Sequence, residues 1–154
     1  MFGVLALLLV VSPPHFGAAP GWYVGSRPAR ACPGVSASRC VQAPGWASTV
    51  RYRDCGDCIP PHHTLAHLPP SRIVIQLSNG RERPAYKMPR GWPPRLRASQ
   101  VVGPFEGEPP QYGVIQLGRR DRSGMEHFLF VWFGRPHPTR RQLARANAEL
   151  RTVR

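Results

Sequence analysis

The run from Met125 to Phe133 constrains the fold of this chain more than any other segment. Its sequence, Met-Glu-His-Phe-Leu-Phe-Val-Trp-Phe, places apolar side chains at both odd and even positions. Successive side chains of a β-strand point to opposite faces of the sheet. A strand with this pattern is therefore expected at the centre of a sheet that is covered on both sides.

Two earlier segments predict neighbouring strands. Arg72–Ser78 and Tyr112–Leu117 are rich in β-branched and apolar residues, and both contain Val-Ile-Gln-Leu. Asn79-Gly80 follows the first segment and is the preferred pair for a two-residue type I′ hairpin, which predicts a return strand over Arg81–Lys87. Pro84 cannot donate to a ladder, so we expect that strand at the sheet edge. The repeated tetrapeptide is either a duplicated hairpin or a chance likeness.

The C-terminal residues predict a helix that packs on the sheet. Thr139 and Gln142 fit a capping box, with the threonine at the N-cap and the glutamine at the third helical position. Apolar residues then recur at helical spacing on one stripe: Leu143, Ala146, Leu150 and Val153. Two arginines in the first turn oppose the helix dipole, and a bound anion would relieve that penalty.

Together these segments predict a mainly β α+β fold. It comprises a small antiparallel sheet of about five to seven strands with one C-terminal helix packed on it. Residues 72–154 form the sheet and the helix. Residues 20–71 form a loop-rich, disulfide-stapled part of the same single domain, with one or two strands.

Residues 1–19 have the pattern of a secretory signal peptide. The first charged side chain is Arg27, and an apolar run beginning at Val4 precedes the small residues at 17–19. This run is too short for a spanning helix, which needs about 20 residues. We expect export and cleavage, and hence a secreted or cell-envelope location. The alternatives are an uncleaved N-terminal anchor and an ordinary buried segment, because Pro20 disfavours cleavage directly after Ala19.

Four cysteines crowd into one short segment: Cys32, Cys40, Cys55 and Cys58. In an oxidising compartment they most simply form two disulfides, with three possible connectivities. The rival interpretation is a zinc-binding module that also uses nearby histidines: His62, His63 and His67. The irregular cysteine spacing favours disulfides, and we assign no metal ligand and no cofactor.

The chain is strongly basic, with 21 Lys and Arg against 8 Asp and Glu and a formal charge of +13. Such a field attracts polyanions, and arginine pairs bidentately with phosphate and carboxylate. Segments 81–97 and 134–154 each hold six cations and one anion. If they converge in space, they form a cationic patch.

The candidate anion-binding residues lie in these two segments and in a basic turn between them. They are Arg81, Arg83, Lys87, Arg90, Arg119, Arg120, Arg135, Arg140, Arg141 and Arg145. We therefore expect a non-catalytic exported domain that binds anionic envelope or extracellular polymers, or an anionic membrane surface. Nucleic acid is a less favoured partner, and the sequence leaves the oligomeric state open.

The alternative function is a secreted, ribonuclease-like hydrolase of phosphodiesters. Glu126 or His127 would transfer protons, and the arginines of the basic turn would stabilise the developing negative charge. Adjacent strand residues point to opposite faces, so the two cannot serve one site directly. His137 is a substitute, and we assign no catalytic residue.

Overall fold

The computed structural model describes residues 11–31, 41–53, 61–81, 94–103, 111–120 and 126–154. The strands in these ranges are β1 (Tyr23–Ser26), β2 (Arg30–Ala31), β3 (Val41–Ser48), β4 (Ile73–Arg81), β5 (Gly113–Arg120) and β6 (Glu126–Phe133). The helices are α1 (His62–Leu65) and α2 (Arg140–Leu150), with a 3-10 turn at Ala98–Gln100. The predicted antiparallel, mainly β fold with a C-terminal helix is confirmed.

One sheet contains all six strands in the order β1-β3-β4-β6-β5, and every pairing is antiparallel. The two-residue strand β2 pairs with β3 beside β1. An isolated bridge joins Val102 to Val114 on the outer side of β5. The prediction that the C-terminal apolar run is a central strand is confirmed, because β6 lies between β4 and β5.

The two copies of Val-Ile-Gln-Leu flank β6 in the same register. Val74 and Val114 both lie opposite Trp132. Three residues further along, Leu77 and Leu117 both lie opposite Leu129 of β6. The same alternation of side chains therefore lies on both sides of β6. Its origin by duplication stays a hypothesis.

The prediction of a hairpin turn at Asn79-Gly80 is wrong. Both residues lie inside β4, where Asn79 is opposite His127 and Gly80 is opposite Glu126. The Asn79 amide is used within the fold: its Nδ2 donates to the Ser12 carbonyl at 2.8 Å, and its Oδ1 lies 2.8 Å from His127 Nδ1. A Cβ at Gly80 would come within 2.8 Å of the Val41 carbonyl oxygen. The expected return strand, with Pro84, lies outside the described residues apart from Arg81, which ends β4.

The α2 helix covers one face of the sheet. The predicted capping box and apolar stripe are confirmed: Thr139 is the N-cap, Ala146 and Leu150 are buried, and Leu143 and Val153 pack against them. They meet side chains from odd-numbered positions of β4, β5 and β6, which are Ile73, Ile75, Leu77, Ile115, Leu129, Val131 and Phe133. This cluster is the larger part of the core.

Residues 11–17 extend the same covering layer over β3. Phe16 is buried in the main core, and Val11 packs against Val41 and Ala43. The backbones of His15 and Arg154 donate to each other, at 3.2 and 2.9 Å, which ties this segment to the C-terminal end of the chain. Cleavage near residue 19 would remove these contacts. Export and cleavage of residues 1–19 stay predictions.

A smaller cluster covers the opposite face of the sheet. Trp132 and Tyr112 pack there against Leu65 and Leu68, and the Tyr112 hydroxyl donates to the Leu65 carbonyl. In the connector between β3 and β4, His62–Leu65 forms one helical turn. That turn places Leu65 on the sheet, so both faces of β6 are covered, as its apolar pattern requires.

The contact between residues 11–17 and β3 can be tested at Gly45. A Cβ at this position would overlap the Pro14 carbonyl oxygen, whereas a Cβ at Gly103 meets nothing within 4 Å. We expect Gly45→Ala to lower the free energy of unfolding by about 1–3 kcal/mol. Gly103→Ala should change it by less than about 0.5 kcal/mol. Urea denaturation of both variants checks this, and equal effects would contradict the packing of residues 11–17.

Candidate anion-binding site

A cleft of about 370 Å³ opens at the N-terminal end of α2. Its lining comes from three segments and consists of Ser71, Arg72, Arg135, Thr139, Arg141, Gln142 and Arg145. Four of these seven residues are arginines, and none of the seven carries a carboxylate. Among the described residues, the cleft therefore gathers positive charge with no acidic side chain in its wall.

The pairing of β4 with β6 brings two of the arginines together. Ile73 at the start of β4 lies opposite Phe133 at the end of β6, so Arg72 and Arg135 lie at the same end of the sheet. The Gly134 amide donates to the Arg72 carbonyl at 3.1 Å. A Cβ at Gly134 would overlap the Pro69 carbonyl oxygen, so only glycine permits this close approach.

Gln142 holds the start of α2 beside the start of β4. Its side-chain Oε1 accepts from the Thr139 backbone amide at 3.0 Å. The Gln142 backbone amide in turn donates to Thr139 Oγ1 at 3.1 Å. Its Nε2 donates to the Pro70 carbonyl at 3.0 Å. Gln142 is 7% exposed, and a buried amide satisfied in this way fixes the relative position of the two segments. The helix wall of the cleft is thereby set against the wall that carries Arg72.

Arg141 and Arg145 supply the helix wall. Residues four apart lie on the same side of a helix, so these like charges are neighbours and destabilise it by about 0.2–0.5 kcal/mol. Arg145 is anchored by a turn near the N-terminus: its Nη2 donates to the Gly21 carbonyl at 3.0 Å, and its guanidinium carbon lies 5.2 Å from the centre of the Trp22 ring. These contacts hold Arg145, a half-buried residue, at the cleft.

The first turn of α2 adds to the positive potential. It contains no acidic residue. The free backbone N–H groups at a helix N-terminus are equivalent to about half a positive charge. Asp and Glu are enriched near this end of helices, because a carboxylate stabilises it. Here the sequence places Arg140 and Arg141 there instead, and the resulting penalty favours a bound anion.

The structure brings together three of the residues proposed from sequence, namely Arg135, Arg141 and Arg145. Arg140 is exposed on α2 but does not line the cleft. Three more, Arg81, Arg119 and Arg120, end β4 and β5 at the opposite end of the sheet. Seven residues of strand separate the two ends, which is roughly 23 Å. The remaining candidates, Arg83, Lys87 and Arg90, lie outside the described residues.

Sequence reasoning missed Arg72. This residue lies before both basic segments and is separated from Pro69-Pro70 only by Ser71, so no local excess of charge marks it. The signal that could have identified it is the antiparallel pairing of β4 with β6. In that pairing Arg72, which precedes β4, lies at the same end of the sheet as Arg135, which follows β6. The sequence of either strand alone does not contain this information.

The groups proposed for hydrolysis do not meet at this cleft. Glu126 is buried at the far end of β6, and His127 contacts Asn79 on the other face. His137 is exposed and does not line the cleft. The described lining contains no His, Asp, Glu or Cys, so it offers anion-binding groups without a side chain suited to proton transfer at neutral pH.

The four cysteines lie outside the described residues, so the disulfides and the alternative zinc module stay predictions. The histidines of the connector, His62, His63 and His67, are exposed. Within the described ranges there is no cluster of three or more His, Cys, Asp or Glu that could hold a metal ion. None of the helices in those ranges is long and apolar enough to cross a membrane.

No protein-family model matches the chain, and no curated protein or solved structure is significantly similar to it. Because a fold alone does not specify a function, the chemistry of the cleft is the basis for a functional proposal.

Glu149 lies one helical turn beyond Arg145 and is 1% exposed. Its Oε1 has no hydrogen-bond partner among the described residues. Burial raises the pKa of the Glu149 carboxyl above its usual range, while the Thr152 hydroxyl and the charge of Arg145 partly offset this rise. The ionised carboxylate is therefore less stable in the folded protein than in the unfolded chain.

We expect Glu149→Gln to stabilise the protein at pH 7. Between the ordinary pKa of a glutamate and the raised value, the folded state binds more protons than the unfolded state. The contribution of Glu149 to the free energy of unfolding of the protein therefore falls as pH rises through this interval. Urea denaturation from pH 4 to pH 8 should show a gain from the substitution at high pH that shrinks toward pH 4. Arg151→Gln, at the exposed residue that directly follows α2, is the control, and a gain that does not change with pH would contradict the assignment.

Proposed function

We propose that this chain is an exported, non-catalytic domain that binds anionic polymers through the arginine-lined cleft. The observation that carries the proposal is the convergence of Arg72, Arg135, Arg141 and Arg145 on one cleft without an acidic lining residue. Each guanidinium offers a planar fork of donors that matches phosphate, sulfate or carboxylate. The cleft is thus suited to an anionic group.

The charge of the whole molecule supports a polymeric partner. A formal charge of +13 attracts polyanions at long range, and the cleft supplies a place for close contact. At 0.1 M salt the screening length is about 10 Å, so the exposed arginines contribute mainly to encounter. The guanidiniums of the cleft contribute to affinity, because their contacts with the anion are short.

Export is supported by the apolar, uncharged leader and by the cysteine-rich segment that follows it. An exported protein meets anionic envelope and extracellular polymers. N-terminal sequencing of the protein recovered outside the cytosol tests this part of the proposal, because it shows whether His15 and Phe16 remain in the mature chain.

The cleft assignment predicts different effects for two adjacent arginines. Arg141 lines the cleft and Arg140 does not, yet both are exposed residues in the first turn of α2. We expect Arg141→Gln to weaken binding of long-chain polyphosphate about tenfold, since a charge-assisted hydrogen bond contributes about 1.5–3 kcal/mol. Arg140→Gln should weaken binding less than threefold, because it removes only screened long-range attraction. Isothermal titration calorimetry at 50 mM NaCl measures both affinities.

Raising the NaCl concentration provides the second part of this test. The affinity of the unaltered protein should fall steeply between 50 and 300 mM NaCl. This fall is expected because binding releases counterions that are condensed on the polymer. If affinity is independent of salt, or if the two variants bind equally, polymer binding does not occur through the cleft.

A further inference from the structure

We propose that the cleft recognises a single phosphomonoester group, such as the terminal phosphate of an anionic polymer, in preference to the repeating charges of the polymer backbone. This inference rests on the proposed function and specifies the chemical class of the group that enters the cleft. Three properties of the cleft support it: its size, its separation from Arg119 and Arg120, and the number of its donors together with their placement on two walls.

The size of the cleft suits one anionic group. Its volume of about 370 Å³ is near the lower end of the range for small-molecule sites, which is about 300–1,000 Å³. A groove that follows a polymer backbone needs cations spaced along its length. Arg119 and Arg120 are instead at the opposite end of the sheet, roughly 23 Å away by strand rise. The described cations at the cleft are therefore grouped around one place.

The donors of the cleft exceed what a diester or a carboxylate can use. A guanidinium carries five N–H donors, so the four arginines provide many more than two acceptor oxygens require. A phosphomonoester carries about −1.5 to −2 charges at pH 7 and has three unesterified oxygens. A phosphodiester has a single charge and two such oxygens. The attraction to four guanidiniums thus rises with the second charge.

The placement of the arginines on two walls also favours a tetrahedral group. Arg72 and Arg135 belong to the wall formed by the ends of β4 and β6, whereas Arg141 and Arg145 belong to the helix wall. A planar carboxylate satisfies one guanidinium through both of its oxygens. The three oxygens of a phosphomonoester diverge, so they can accept from both walls and from the first turn of α2.

A matched pair of small probes tests the inference. Glycerol 3-phosphate and its methyl diester differ by one ester bond and hence by one charge and one free oxygen. Isothermal titration calorimetry of the full chain at 50 mM NaCl should show the monoester binding at least tenfold more tightly than the diester. Arg141→Gln should remove most of this preference, and Arg140→Gln should retain it.

Three outcomes would overturn the inference, and together they separate its failure from failure of the proposed function. If monoester and diester bind equally while polyphosphate still depends on Arg141, the cleft binds anions without selecting a terminal phosphate. If inorganic phosphate binds more tightly than glycerol 3-phosphate and displaces polyphosphate, the ligand is free phosphate. If no probe binds, polyphosphate included, the proposed function fails as well.

Discussion

The central strand β6 must be covered on both faces, and the rest of the structure follows from this requirement. Large apolar side chains of β6 point to both faces of the sheet, so neither face is suited to contact with water. The α2 helix covers one face, and the cluster around Tyr112 and Leu65 covers the other. The cleft lies at the N-terminal end of α2, because this end of the helix is next to the end of β6 and the beginning of β4.

The hydrogen bonds of Gln142 convert this packing into a defined site. The side chain caps the helix and also binds the Pro70 carbonyl, so the cap of α2 and the approach to β4 cannot move independently. Arginines on either side of this junction then face a common space. A chain with so many cations could have spaced them evenly, but here Arg141 and Arg145 share a helix face near a positive helix terminus. This concentration of like charge is the strongest physical indication that the cleft serves an anion.

The sequence predicted those features that depend on neighbouring residues. The β6 strand follows from alternation, and the start of α2 follows from Thr139 and Gln142 at capping-box spacing. The failure at Asn79-Gly80 has a different origin: this pair favours a turn in isolation, but here each residue has a partner on both sides within the sheet. Tertiary pairing therefore overrides the local turn preference.

The candidate site could be predicted only in part, because it depends on contacts between distant segments. Charge density identified Arg135, Arg141 and Arg145, which lie within one basic segment. It did not identify Arg72, which reaches the cleft only through strand pairing. It also included Arg119 and Arg120, which lie at the other end of the sheet. The packing of residues 11–17 was likewise one of several alternatives at the level of sequence, because an apolar run alone does not distinguish a leader from a buried segment.

The convergence of these arginines on one anion site is tested most directly by nuclear magnetic resonance. Amide and guanidinium resonances of the full chain would be followed during titration with glycerol 3-phosphate at 50 mM NaCl. The account predicts saturable shifts confined to Arg72, Arg135 and the residues from Thr139 to Arg145. Shifts spread over the exposed arginines generally, or centred on Arg119 and Arg120, would contradict it.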